Sequence, residues 1–99
     1  MKFDSFINIL EKRVNAKKEW NTLSNKIPFS VDHFDGDSLH LILTKKTERR
    51  ISIEEFEKVW NISKTIPVEE RFTVSSYSKH TTSQNLSYIL GIMERTIWD

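Results

Sequence analysis

Cysteine is absent from this chain, and with it any disulfide or thiolate-held metal. Glycine occurs only at Gly36 and Gly91, proline only at Pro28 and Pro67. Two isolated glycines cannot build a phosphate-cradling loop, and no serine stands in a nucleophile elbow. No apolar run approaches the roughly 20 residues that cross a bilayer. Met1-Lys2-Phe3-Asp4 opens no signal peptide, because charges interrupt the apolar residues every few positions. An excess of one charge is also missing: 15 Lys and Arg face 14 Asp and Glu, for a net charge of +1. Without a global field, binding of a polyanion has to come from a local patch. Together these absences lead us to expect a cytoplasmic protein with no membrane contact and no cofactor.

What is present is enough for a core. Ninety-nine residues, 37% hydrophobic and 11% aromatic, correspond to a single globular domain over 1–99 that folds without staples. Lys12, Arg13, Lys17, Lys18 and the run from Lys45 to Arg50 are basic-rich. Glu54, Glu55, Glu57, Glu69 and Glu70 are acidic, so the chain reads as dipolar.

Apolar spacing sets the expected elements. Phe3, Ile7, Leu10 and Val14 recur at helical intervals, with Asp4 as N-cap, and the helix is expected to reach about Leu23, carrying Trp20 on its last turns. Phe29, Val31 and His33 alternate, as do Leu39, Leu41 and Leu43, around Asp35-Gly36-Asp37: a hairpin over 28–44. A two-residue Asp-Gly turn would set the leucines opposite Ser30 and Asp32. An odd loop centred on Gly36, or a bulge, pairs Val31 with Leu41 and makes one apolar face, which is the register we expect.

Short strands are expected near 49–52 and 72–77. Ser52 and Glu55 form a capping box that starts a second helix at Ile53, with Ile51 and Phe56 spaced as its hydrophobic staple. Leu86, Ile89, Leu90, Met93 and Ile97 form the stripe of a last helix from about Gln84, capped by Thr82 or Ser83. The fold class is therefore α+β: a small antiparallel sheet packed against three helices, in the order α-β-β-(β)-α-β-α.

Few residues point to chemistry. Lys45-Lys46-Thr47-Glu48-Arg49-Arg50 places four cations in six positions, able to contact phosphates, or simply to solvate a turn. Lys79, in the loop from Tyr77 to Ser83 ahead of the last helix, is a further candidate cation. In the expected register His33 faces the apolar side and His40 the other, beside Asp32, so the imidazoles do not converge. No metal-ligand spacing such as HExxH exists, and Asp32, Asp35 and Asp37 read as turn chemistry. Trp60 belongs to an apolar stripe. Neither catalytic nor metal-binding residues are identified, and no enzyme activity is expected.

The segment from Arg49 to Trp60, with Asn85-Leu86-Ser87-Tyr88-Ile89-Leu90-Gly91-Ile92, resembles small accessory modules attached to restriction-type and other defence nucleases. The resemblance rests on a basic pair, Ile-Ser, an acidic helix with Phe and Trp, and Ser-Tyr-Ile-Leu. It implies a non-catalytic role close to DNA. The expected function is a small nucleic-acid-binding or nuclease-accessory module using Lys45, Lys46, Arg49, Arg50 and Lys79 on DNA or RNA phosphates. The alternative is a protein-interaction domain (inhibitor, immunity factor or homodimer) with no nucleic-acid contact.

Overall fold

The computed structural model describes residues 2–16, 19–21, 27–78, 81 and 85–98. Helix α1 (Phe3–Ala16) is followed by strands β1 (Glu19–Asn21), β2 (Pro28–Phe34), β3 (Ser38–Ile42) and β4 (Glu48–Ser52), then helices α2 (Ile53–Ser63) and α3 (Leu86–Trp98). The strands form one antiparallel sheet in the order β1-β2-β3-β4, a plain meander. The class is α+β.

Side-chain burial separates the two faces of this sheet. Trp20, Phe29, Val31, Leu39, Leu41 and Ile51 are buried, each at most 4% exposed. They meet Phe6, Leu10 and Val14 of α1, Phe56, Val59 and Trp60 of α2, and Leu86, Ile89, Leu90, Ile92 and Met93 of α3 in one core. Leu43 lies partly buried against that core. Burying a leucine or valine this completely contributes about 1.5–3 kcal/mol. The helices contact different strands, α3 on β1, α1 on β2 and α2 on β4, so together they cover the inner face. Phe6 stacks on Trp60 with ring centroids 4.7 Å apart, tying α1 to α2.

The start of α2 follows its local sequence. Ser52 is the N-cap, extended at φ −70° and ψ 150°, and its Oγ accepts from the Glu55 amide at 3.2 Å. The amide of Ile53 donates to the Asp37 carbonyl at 2.8 Å, fastening the helix start to the β2–β3 turn.

Three expectations are corrected. Helix α1 ends at Ala16, and Trp20 lies on a strand opposite Phe29. The stripe through Val14 would next require apolar residues at 17 and 18, where Lys17 and Lys18 stand, so continuing the helix would bury charge. Pairing with β2 buries Trp20 instead, at 1% exposed. Leu23 lies outside the described residues, as do Thr82 and Ser83. Asp4 falls within the first turn of α1, where its charge suits the positive end of the helix.

The expected strand over 72–77 is a 3₁₀ turn, Val74–Ser76, preceded by another at Val68–Glu70. Local bonds serve its backbone: Thr73 N–H to Glu70, Ser76 N–H to Thr73 and Tyr77 N–H to Val74. Phe72, Val74 and Tyr77 still turn towards the core. Alternation there reports which side chains are buried, not a ladder.

Candidate functional site

The outer sheet face arises from one irregularity in the β2–β3 hairpin. Val31 pairs with Leu41, as expected, but His33 pairs with His40 and Phe34 with Leu39. Asp32 is the extra residue, a bulge between the two registers. One additional residue inverts every side chain beyond it, so Phe34 turns inward and His33 outward. The expectation that the histidines diverge is therefore overturned. Their rings stack at 4.2 Å between centroids and 11° between planes.

Each imidazole has its own carboxylate. Asp32 Oδ2 lies 2.6 Å from His33 Nδ1, and Asp35 Oδ2 lies 2.6 Å from His40 Nε2. The expected Asp32–His40 pair is thus replaced by two others. The second oxygen of Asp35 accepts from the amides of Asp37 at 2.9 Å and Ser38 at 2.8 Å. The His40 hydrogen bond, and then these two amides, hold the Asp35 carboxyl well below the usual carboxylate range. Gly36, at φ 98°, supplies the left-handed backbone that this loop needs.

The cations are distributed as strand alternation dictates. Arg50 pairs across with His40 and shares its face, where both line a hollow of about 350 Å³ with Asp32, His33, Ile42 and Glu48. Lys46, with Ser30, Ile42 and Thr44, lines an adjoining hollow of about 330 Å³. Ile42 is common to both, so the two hollows adjoin along β3, with Arg50 bordering the first and Lys46 the second, which also reaches Phe29 and Leu43 at the end of the sheet. Lys45 is exposed in the same β3–β4 turn. Lys46 adopts φ 62°, left-handed backbone that an L-residue other than Asn or Asp visits at a cost of about 1–2 kcal/mol. The turn is closed by the Lys46 amide on the Leu43 carbonyl at 2.8 Å and the Leu43 amide on Thr47 at 2.9 Å.

Arg49 points the other way. Its Nη1 donates to Asn85 Oδ1 at 2.9 Å, and its guanidinium sits 5.2 Å from the centroid of the Tyr88 ring. Asn85 Nδ2 in turn donates to both Glu55 oxygens, at 3.2 and 3.0 Å. Arg49 also lines the hollow that holds Arg50, but its guanidinium is directed to Asn85 and Tyr88 and joins β4, α2 and the start of α3. Lys79 lies outside the described residues. Sequence reasoning missed Asp35, His33 and His40 as a group; the bulge that unites them left no signal beyond the conflict between the Asp-Gly turn and the apolar alternation.

Among the described residues, no helix is long and apolar enough to cross a membrane. Comparison with family models, curated proteins and solved structures finds no match.

Proposed function

We propose that this chain is a small non-catalytic module, acting in the cytoplasm, that binds nucleic acid through its phosphates. The observation that carries the reading is the exposed position of Arg50 on the outer sheet face, with Lys45 and Lys46 exposed in the β3–β4 turn at the end of the same hairpin. Lys45 and Lys46 offer point charges and Arg50 a planar fork, which together suit phosphate oxygens more than base edges. A place beside a nuclease, implied by the resemblance above, belongs to this proposal.

Arg49 changes how the reading is tested. Because its side chain joins three elements, replacing it would confuse lost binding with lost packing. The clean variant is Lys45→Ala with Lys46→Ala, followed by Arg50→Ala. With three phosphates neutralised on duplex DNA, log affinity against log salt falls with a slope of roughly −3. The double lysine variant lowers that slope by about 2, uniformly across sequences. Absence of binding at about 50 mM salt, where phosphate contacts are strongest, sinks the proposal.

One observation favours a second reading. Strand β4 ends the sheet, so one row of its backbone groups faces no other described strand. A partner protein or a second copy of the chain can add a strand there. In that case DNA binding is absent while light scattering or pull-down with a specific partner reports a complex that substitutions along β4 weaken.

A further inference from the structure

We infer that His33, His40 and Asp35 form a binding site for a divalent transition-metal ion of the zinc class. One ligand atom from each lies within 4.8 Å of the other two. An ion with bonds of about 2.0–2.1 Å draws ligand atoms to roughly 3.4 Å from one another, so binding closes these distances and swings the stacked rings out of parallel until a nitrogen of each points at the ion. Two imidazoles and one carboxylate are the donor set that such ions take in three-ligand sites, with a fourth position left for solvent or a partner's group.

The surroundings are those of a prepared site. Asp32 accepts from His33 Nδ1 at 2.6 Å, which fixes the ring and leaves Nε2 as its ligand atom. Asp35 is oriented by two backbone amides on one oxygen, which leaves the other to the ion. In binding, the ion takes the place of the hydrogen between His40 Nε2 and Asp35 Oδ2, and that proton moves to His40 Nδ1. The ligands sit on paired strands, so their spacing is set by the ladder. Arg50 opposes a cation, while Asp32 and Glu48 in the same hollow offset it. Imidazole donors select zinc, nickel and copper over magnesium and calcium. The inference is independent of the nucleic-acid reading, since neither requires the other.

Calorimetric titration of the metal-free full chain with Zn²⁺ tests it, with Co²⁺ absorption as a second readout of coordination. The expected result is one ion per chain, not displaced by excess Mg²⁺. His33→Ala and His40→Ala each weaken binding at least tenfold, and Asp32→Asn weakens it by about 10–100-fold. His33 is solvent-exposed, so its variant keeps the far-ultraviolet dichroism of the parent. If His40→Ala unfolds, His33→Ala decides alone. Absence of saturable binding overturns the site, as does binding that His33→Ala leaves intact or that Mg²⁺ displaces.

Discussion

The two faces of this sheet are made by alternate residues of the same strands, yet they are governed differently. On β3, Leu39 and Leu41 are at most 1% exposed, while His40 between them is a third exposed on the other side. On β4, Arg49 turns inward to Asn85 and Tyr88, and Arg50 turns outward beside His40. Identical residue types one position apart thus do unlike work. A cationic run does not act as a unit once the chain is pleated: strand period divides it between architecture and surface.

The largest break in this comparison comes from the inner face. Leu41→Ala is expected to cost about 2–5 kcal/mol in urea unfolding, by lost transfer energy and the cavity left behind. His40→Ala on the same strand is expected to cost less, about 1 kcal/mol, through the lost hydrogen bond to Asp35 at a partly exposed site. Equal costs would mean that the outer face is covered.

Tyr77 extends the test to the loop side of the core. It is fully buried, and its hydroxyl donates to the Arg71 carbonyl at 2.7 Å. Burial, against smaller opposing effects of Arg71 and Ser63, raises its pKa from 10.0 to about 12. A group whose folded pKa is raised contributes its full stability below the unfolded value and loses it as pH climbs. The loss runs between pH 10.0 and about 12, and amounts to roughly 2–3 kcal/mol in all. Denaturant titrations across that range should show a decline that Tyr77→Phe makes shallower; an unchanged slope in the variant excludes the phenol as its source.

The two arginines sharpen the contrast directly. Arg49→Ala is expected to destabilise by about 1–3 kcal/mol, because it strips a charged donor from Asn85. Arg50→Ala is expected to stay within about 0.5 kcal/mol, as a surface change does. Chemical denaturation of the pair measures the difference, and equal values would refute the division of β4. The smallest effect is local: Ser52→Ala should cost about 1 kcal/mol through the lost cap. A melting temperature unchanged by that substitution would show the cap hydrogen bond to be worth nothing here.

What the amino-acid sequence determined by itself lies within a few residues' reach. The cap at Ser52, the stripes of α2 and α3, the alternation of Leu39 and Leu41 and hence the α+β class all follow from hydrogen bonds and periodicities completed inside one segment. The end of α1 is not among these: the expected stripe extends to Trp20, which the structure places on a strand opposite Phe29. The tertiary structure alone decided the rest. Asp32 bulges because closing the turn at Asp35-Gly36-Asp37 and burying Val31 with Leu41 require registers that differ by one residue. That single residue brings His33 onto His40. Arg49 finds Asn85 only because α3 returns to the sheet from 36 positions away. A side chain's partner across such a distance depends on how elements assemble, and no local period carries that information.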